Sequence, residues 1–328
     1  MQERGASHIT SQPEAVTMTR PKKIRDWRPK QLLDLEGCTY LITGGNSGIG
    51  LEAAKMLAAA GGDIVIACRN PAKAATARKE IDAAGPGTCS VISLDLSSLD
   101  SVERAADTVL EGWDSLDGLI NNAGIMQTPE TRTEDGFELQ LATNHLGHFL
   151  FAGKLLGLVE AASGRIVVVS SIAHRLGKIN FDDLMFEKRY SASLAYGQSK
   201  LANLMFALEL DRRLRAADSP ASCIACHPGY SATELQSTGP TGLLNTTYKF
   251  LNAVVAQPAY NGAIPTVLAA AGEEAEPGGY YGPQSLGEAR GRVGDAAISR
   301  RARDEAAAAR LWEASEELVG FRWQIPAN

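Results

Sequence analysis

The feature that most constrains this chain is a glycine-rich turn between an apolar run and a helical pattern. The apolar run is Thr39 to Ile42, the turn reads TGGNSGIG from Thr43 to Gly50, and the helical pattern spans Leu51 to Ala60. Glycines let a backbone turn tightly and approach a pyrophosphate, and a helix N-terminus directs free N–H groups and a positive dipole at it. The G-x-x-x-G-x-G spacing differs from the usual G-x-G-x-x-G fingerprint, so the turn alone is also compatible with a plain strand-to-helix connection.

A tyrosine and a lysine form the second motif. Tyr196 and Lys200 are four residues apart in a helical pattern from Ala195 to Arg215, which places both side chains on one helix face. A phenol titrates near 10 in water, too high for easy proton exchange at neutral pH, and a nearby cation lowers that value. Tyr196 is therefore the candidate acid/base, and Lys200 supplies the charge.

These motifs, taken with several others, resemble the short-chain dehydrogenase/reductase family. TGxxxGxG, NNAG at Asn121–Gly124, a serine at Ser171, YxxxK and PG at Pro228–Gly229 occur in the family's order, and Asn144 accompanies them. The resemblance covers roughly Leu35 to the C-terminus and is closest to the retinol-dehydrogenase-like branch. The runs that carry this second likeness are Cys68–Asn70, Asn144–Phe149, Ser170–His174, Arg189–Ser191, Ala195–Tyr196, Ser199–Asn203, Arg310–Trp312 and Phe321–Trp323.

The resemblance implies hydride transfer between a nicotinamide ring and the carbonyl or alcohol carbon of a substrate. Its catalytic residues would be Asn144, Ser171, Tyr196 and Lys200. Ser171 would also bind the substrate oxygen, with Ser170 as the rival for that role. Asn144 would organise a water that links Lys200 to solvent.

The residues after the second apolar run indicate the cofactor. Folds that prefer NAD carry an acidic residue there, which binds the ribose 2′-hydroxyl. This chain has Cys68 instead, followed by Arg69, which can pair with a 2′-phosphate, so NADP(H) is favoured over NAD(H). Lys73 and Arg78 add positive charge nearby. The expected cofactor-binding residues are Gly44, Asn46, Ser47, Gly48, Ile49, Gly50, Arg69, Asp95, Leu96, Asn122, Ala123, Gly124, Tyr196, Lys200, Pro228, Gly229 and Thr233.

Apolar runs and helical patterns alternate along most of the chain. This alternation predicts an α/β fold, a doubly wound parallel, Rossmann-like sheet in a single three-layer α/β/α domain. Every motif falls at the carboxyl end of an expected strand, where such sheets bind ligands. The expected strands are 39–42, 63–67, 89–94, 117–120, 165–169 and 222–226, and the expected helices are 51–60, 71–84, 99–111, 135–158 and 195–215.

Two regions fall outside this alternation. Residues 1–34 are polar and then basic, and we interpret them as a solvated N-terminal extension of the 35–328 oxidoreductase domain. Docking of the extension on a subunit or an anionic membrane surface is the alternative. Residues of about 233–257 resemble the family's substrate lid, and their apolar side chains suggest a hydrophobic substrate. A surface helix pair that merely packs on the sheet is the other interpretation.

Composition limits the partners of the chain. A net charge of −6 on 328 residues argues against nucleic acid, and no apolar run approaches the roughly 20 residues of a membrane span. Five cysteines without a secretory signal predict reduced thiols in the cytoplasm. Cys223 and Cys226 lie in an apolar run, so we expect packing rather than a metal or redox site, and we expect the same of His145 and His148. A homo-oligomer remains open.

Two other functions compete with an alcohol dehydrogenase or carbonyl reductase. A protochlorophyllide-reductase-like enzyme would reduce a carbon–carbon bond with the help of a cysteine, for which Cys226 and Cys38 are the candidates. A dinucleotide sensor would keep the fold without turnover, although the intact Tyr196, Lys200, Ser171 and Asn144 count against it.

Overall fold

One sheet of eight strands organises the described part of the chain, residues 23–230 and 257–325 of a computed structural model. Its order is β3-β2-β1-β4-β5-β6-β7-β8, parallel throughout except for the antiparallel pair β7–β8. The strands are β1 (Thr39–Thr43), β2 (Asp63–Cys68), β3 (Cys89–Ser93), β4 (Gly118–Asn121), β5 (Arg165–Val169), β6 (Ser222–Cys226), β7 (Tyr280–Ser285) and β8 (Arg290–Asp295). The order reverses between β1 and β4, which creates a crevice at their carboxyl ends. The doubly wound prediction is confirmed.

Helices cover both faces of the sheet. They are α1 (Gly48–Ala59), α2 (Pro71–Asp82), α3 (Leu99–Gly112), α4 (Leu139–Leu141), α5 (Gly147–Ala161), α6 (Ala192–Ala216), α7 (Ala259–Ala271) and α8 (Glu305–Val319). Side chains from α1, α2 and α7 share a core with one face, and those from α3, α5, α6 and α8 share a core with the other. The central strands are apolar on both sides because both faces are covered: Leu41 and Ile42 enter opposite cores.

The helix that carries Asn144 differs from its predicted form, Asp135 to Leu158. It begins only at Leu139, because the carboxylate of Glu138 caps the N–H groups of Gln140 and Leu141. After α4, the five residues Ala142–Leu146 form a π-helical turn before α5 begins. Such turns are rare and often mark functional positions.

The C-terminal elements α7, β7, β8 and α8 were not predicted. Trp312 and Trp323 are buried, and they pack on the helix layer. Their rings lie 5.0 and 5.5 Å from the ring of Phe149 on α5, centroid to centroid, and both also contact Phe206 on α6. An aromatic cluster therefore joins the last helix to two helices of the central fold.

The described part of the N-terminal extension contacts the domain. Trp27 is only 3% exposed, although we expected it to lie in a solvated segment. Its backbone N–H donates to the carbonyl of Val293 on β8 at 3.0 Å, and its indole N–H donates to Glu274 at 2.9 Å. The solvated interpretation does not hold at this residue, because a large apolar ring is more stable in contact with the edge of the sheet than in water.

The C-x-x-C of β6 packs as expected. Cys223 and Cys226 are both fully buried, and they belong to the cores on opposite faces of the sheet. Burial raises the pKa of the Cys226 thiol to about 12. The two thiols lie on different sides of the strand, so they cannot act as a pair.

Candidate active site

A cleft of about 380 Å³ lies at the carboxyl ends of the central strands. Its walls hold most of the residues that we expected to bind a cofactor. Fifteen of them line it: Gly44, Asn46, Ser47, Gly48, Ile49, Gly50, Arg69, Asp95, Leu96, Asn122, Ala123, Gly124, Tyr196, Lys200 and Pro228. One cleft therefore contains both the glycine-rich turn and the tyrosine–lysine motif.

The glycine-rich turn brings bare backbone to the floor of the cleft. Gly44 and Gly48 adopt φ values of +66° and +55°, a conformation that side chains rarely allow. A Cβ atom on Gly50 would come within 2.5 Å of the Gly44 carbonyl oxygen and of the Asn122 amide nitrogen. Helix α1 begins at Gly48, so its free N–H groups face this floor. The turn therefore fits a dinucleotide pyrophosphate.

Thr43 ties the glycine-rich turn to the NNAG segment. Its hydroxyl oxygen accepts the N–H groups of Asn122 and Ala123 at 3.0 and 2.9 Å. His148 Nε2 lies 2.8 Å from the same oxygen, and His148 Nδ1 lies 3.0 Å from the Asn144 carbonyl oxygen. Burial lowers the pKa of His148 to about 4, so the ring is neutral. Since Nδ1 must donate to the carbonyl, Nε2 accepts the Thr43 proton.

Asn144 lies behind the cleft wall, in the π-helical turn. Its amide is fully buried and saturated: it accepts the N–H of Ile125 at 2.8 Å and donates to the Ile125 carbonyl and to Ser199 Oγ, both at 2.9 Å. Ser199 in turn donates to the carbonyl of Tyr196 at 2.9 Å. The Asn144 side chain therefore fixes the backbone beside Gly124 and the start of α6, rather than facing the cleft.

Tyr196 and Lys200 project from adjacent turns of α6 into the cleft. The ammonium group of Lys200 donates to the carbonyl of Val169, at the end of β5, at 3.1 Å. Lys200 is 5% exposed, and this burial lowers its pKa to about 8. The side chain is therefore mainly protonated at neutral pH and loses its charge just above it.

The two serines after β5 have different partners. Ser170 is fully buried, and its hydroxyl donates to the Lys200 carbonyl at 2.7 Å. The Ser171 hydroxyl accepts the N–H of Ala173 at 3.2 Å, at the start of a 3₁₀ helix (Ile172–Arg175). A hydroxyl that accepts one bond keeps its own proton to donate. The Ser170 proton is therefore used within the protein, whereas the Ser171 hydroxyl keeps a proton that it can donate. Of the two serines, Ser170 is among the residues that line the cleft and Ser171 is not.

Arg69 and Asp95 face each other at the opposite end of the cleft, 3.7 Å apart. Their side chains are 65% and 37% exposed. The other oxygen of Asp95 accepts the N–H and the hydroxyl of Ser97, so the carboxylate is held in place. Asn70 caps α2 by accepting the N–H of Lys73 at 3.0 Å, and both residues line the cleft.

Among the described residues, one predicted cofactor residue does not line the cleft. Gly229 has a φ of +68° and lies behind the wall, where a Cβ atom would overlap the Ala289 carbonyl. Thr233 lies outside the described residues, as does the expected lid except for Gln257. The N–H of Gln257 donates to the Tyr230 carbonyl at 2.9 Å, and its side-chain amide donates to the Pro228 carbonyl at 2.7 Å.

Several lining residues were not among the expected contacts. They are Ala67, Cys68, Asn70, Lys73, Leu94, Ile125, Thr143, Val169 and Ser170. Most of them flank a motif residue at a strand end, and that position is the signal that could have identified them. Asn70 carried a further signal, since an asparagine before a proline favours the start of a helix.

The comparisons with known proteins agree with this geometry. A family model described as short chain dehydrogenase matches residues 39–243. The chain belongs to the short-chain dehydrogenase family. Retinol dehydrogenase 12 of Mus musculus is 39% identical over 296 residues, which cover 89% of each chain. Retinol dehydrogenase 14 of Homo sapiens is 38% identical over 305 residues, or 88% of each.

Solved structures give the same result for this short-chain dehydrogenase. A crystal structure of an uncharacterised Mycobacterium paratuberculosis protein aligns with a TM-score of 0.76 at 40% identity, over 91% of this chain and 99% of that one. A Burkholderia cenocepacia short chain dehydrogenase in complex with NADP shares the fold, with a TM-score of 0.59 at 24% identity over 75% of this chain and 96% of that one.

Family membership in the retinol-dehydrogenase-like branch defines the general chemistry. The protein is an oxidoreductase that transfers hydride between a nicotinamide dinucleotide and a small-molecule substrate. Among residues 23–230 and 257–325, no helix is long and apolar enough to cross a membrane.

Proposed function

We propose that the protein is an NADP(H)-dependent oxidoreductase that interconverts an alcohol and a carbonyl group on a hydrophobic substrate. The observation that carries this proposal is the placement of Tyr196 and Lys200 in the same cleft as the glycine-rich turn. A bound nicotinamide ring supplies or accepts the hydride. The protein supplies orientation and the accompanying proton.

Tyr196 is the proposed acid/base. In reduction its hydroxyl gives a proton to the carbonyl oxygen, and in oxidation its phenolate removes the alcohol proton. The Lys200 cation favours the phenolate form, and its 3.1 Å bond to the Val169 carbonyl keeps the charge within the cleft wall. Ser171 donates its hydroxyl proton to the substrate oxygen, which orients the reacting carbon. Asn144 supports this arrangement by holding the backbone at Gly124.

Arg69 is the proposed determinant of NADP(H) over NAD(H). Its guanidinium lies at the cleft end nearest β2, where NAD-preferring folds carry an acidic residue. A ribose 2′-phosphate would compete with Asp95 for this guanidinium. Lys73, which lines the same end from the first turn of α2, adds a second cation for that phosphate.

Exposed leucines support a hydrophobic substrate. Leu176 is 78% exposed and Leu286 is 72% exposed, and they lie on neighbouring loops because Arg175 donates to the Gly287 carbonyl at 3.3 Å. Leu194, two residues before Tyr196, is 56% exposed. None of these leucines is among the described residues that line the cleft, so they support an apolar ligand only as an exposed apolar surface on loops near it. The names of the relatives, retinol dehydrogenases 12 and 14, point to a long-chain isoprenoid-like alcohol or aldehyde as the first candidate.

A cysteine-assisted reduction of a carbon–carbon bond is less well supported. Cys226 is fully buried, and Cys38 precedes β1, at the amino end of the sheet and away from the cleft. Neither thiol is among the described residues that line the cleft.

We also propose a cytoplasmic location, since all five cysteines are free thiols. After lysis and ultracentrifugation without detergent, the protein should remain in the supernatant. Recovery in the membrane pellet would contradict this location.

An absorbance assay at the NADPH band tests the proposed activity. Long-chain aldehydes and ketones should oxidise NADPH in the presence of the protein, and the corresponding alcohols should reduce NADP. NADH should be used at least tenfold less efficiently. Tight NADPH binding without turnover on any carbonyl or alcohol would instead support the dinucleotide sensor.

A further inference from the structure

One carboxylate outside the cleft joins two loops that contribute to the cleft wall beside Tyr196 and Lys200. Glu288 lies at the tip of the β7–β8 hairpin, and its Oε1 accepts the N–H of Ala297 at 2.9 Å. Its Oε2 forms an ion pair with Arg175 and lies 3.2 Å from His227 Nε2. Arg175 ends the short helix that Ser171 begins, and His227 precedes Pro228 of the cleft wall. Glu288 therefore contacts the loop after β5 and the loop after β6 together.

The ring of His227 has one defined tautomer. Its Nδ1 accepts the N–H of Gly229 at 3.2 Å, so the ring proton is on Nε2, which faces the Glu288 carboxylate. His227 is fully buried, and a Cβ atom on Gly282 of β7 would overlap its ring. The ring is thus held between the turn of Pro228 and Gly229, the strand β7 and the carboxylate.

The backbone of the hairpin is strained where it presents Glu288. Leu286, Gly287 and Glu288 have φ values of +50°, +65° and +69°. Non-glycine residues in this region are uncommon and persist when surrounding contacts hold them. Those contacts are the Arg175 bond to the Gly287 carbonyl and a 2.7 Å bond from the Tyr230 N–H to the Ala289 carbonyl. Arg175 belongs to the loop after β5, and Tyr230 belongs to the loop after β6.

We propose that Glu288 is a positioning residue for the reaction. Its carboxylate sets the separation between the Ser171 loop and the Pro228 loop, and thereby the position of the nicotinamide ring relative to the substrate oxygen. This inference rests on the proposed function, because it assigns the Ser171 side of the cleft to the reacting groups. The adenine end, at Arg69 and Asp95, is not part of this arrangement.

The test replaces Glu288 by glutamine, which keeps the shape but presents an NH₂ group to donors. Glu288→Gln should lower kcat about tenfold and raise the dissociation constant of NADPH severalfold. It should leave unchanged the dissociation constant of 2′-phospho-ADP-ribose, which lacks the nicotinamide ring. Calorimetry measures both affinities, and single-turnover absorbance measures hydride transfer.

Glu316→Gln is the matched control. Glu316 also accepts one backbone N–H, from Trp323, and pairs with one arginine, Arg322, but it lies on α8 away from the cleft. Its replacement should lower the free energy of unfolding without changing kcat or either affinity. Because Arg175 is partly exposed, Arg175→Met gives a second route if Glu288→Gln folds poorly, and it should show the same pattern with a smaller amplitude. Arg175→Lys should recover part of the loss.

The proposal is overturned if Glu288→Gln keeps kcat and the NADPH affinity within twofold of the wild type. It is also overturned if the variant weakens the binding of 2′-phospho-ADP-ribose as much as that of NADPH, since that would indicate general damage to the cleft. Failure of the proposed function would look different: the wild type itself would then lack turnover. In that case the effect of Glu288→Gln on the dissociation constants of NADPH and 2′-phospho-ADP-ribose would still test the role of Glu288.

Discussion

The two ends of the cleft place their charges in opposite environments. At the proposed adenine end, Arg69 and Asp95 are 65% and 37% exposed and meet at 3.7 Å. At the proposed nicotinamide end, Lys200 is 5% exposed. Charges in water are screened by salt, whereas charges inside the protein are screened much less. Cofactor choice should therefore be easy to alter by surface substitutions, while the chemistry should depend steeply on single buried groups.

The largest effect is expected for Tyr196→Phe. Removal of the hydroxyl abolishes proton transfer by a positioned group, which contributes about 10²–10⁴-fold, so kcat should fall by at least that order. Packing is preserved, so the NADPH dissociation constant should change little. Steady-state kinetics and calorimetry measure the two quantities. Wild-type turnover in this variant would remove Tyr196 from the mechanism.

Lys200→Ala should affect both rate and binding. The variant loses the charge that favours the phenolate of Tyr196 and the bond to the Val169 carbonyl. We expect kcat to fall, NADPH affinity to weaken, and the residual activity to move to higher pH. In the wild type, Lys200 has a pKa of about 8 and loses its charge just above neutrality, so kcat should change with pH in that range. This pH dependence should be absent from the variant. An unchanged profile would contradict the assignment.

A moderate effect is expected at the exposed end. Arg69→Ala should raise the NADPH dissociation constant about tenfold, because a hydrogen bond to a charged group is worth about 1.5–3 kcal/mol and exposure favours the low end of that range. NADH binding should stay nearly constant, and the difference between the cofactors should shrink at high salt. Equal losses for the two cofactors would show that Arg69 does not contact the 2′-phosphate.

The smallest effect concerns stability and pH. Burial lowers the pKa of His145 to about 3 and of His148 to about 4, whereas the unfolded chain takes up these protons near 6.5. The unfolded state thus binds more protons below 6.5, so the free energy of unfolding should fall as the pH drops from 7 to 5.5. Each such histidine contributes a slope of up to about 1.4 kcal/mol per pH unit.

His145→Phe provides the matched test of that slope. His145 is bonded to Ser315 and packs against Phe149 and Phe206, away from the cofactor cleft. Its replacement should reduce the slope measured by urea unfolding between pH 7 and 5.5 by about 0.6 proton on average, and by close to one proton at pH 5.5. Activity at pH 7 should be nearly unchanged. An undiminished slope would mean that His145 is protonated in the folded protein at mildly acidic pH.

Strands β1, β2, β4, β5 and β6 could be predicted because burial on both faces leaves continuous apolar runs. The edge strand β3 was also predicted, although its residues Ser90, Val91 and Ser93 are exposed. The last two could not: β7 contains Gly282 and Pro283, and β8 alternates arginine and glycine, so neither carries an apolar run. The π-helical turn at Asn144 could not be predicted either, since its residues are ordinary for an α-helix. The burial of Trp27 was not predicted, because the basic residues around it indicate a solvated segment and one apolar ring does not change that pattern.

The cleft could be predicted because its residues lie within short motifs at strand ends. Glu288 could not, since 113 residues separate it from Arg175 and no local pattern predicts that contact. The choice of Ser171 over Ser170 rested on the family resemblance and stays a prediction. Neighbouring serines look alike in sequence, and only the bond from Ser170 to the Lys200 carbonyl separates them.

The bond between the Gln257 N–H and the Tyr230 carbonyl has a consequence for chain entropy. It brings together the two ends of the chain that flank residues 231–256. Doubling the length of a flexible segment between two such fixed ends costs only about 0.6 kcal/mol of chain entropy. Insertions between Tyr230 and Gln257 should therefore cost little free energy of folding.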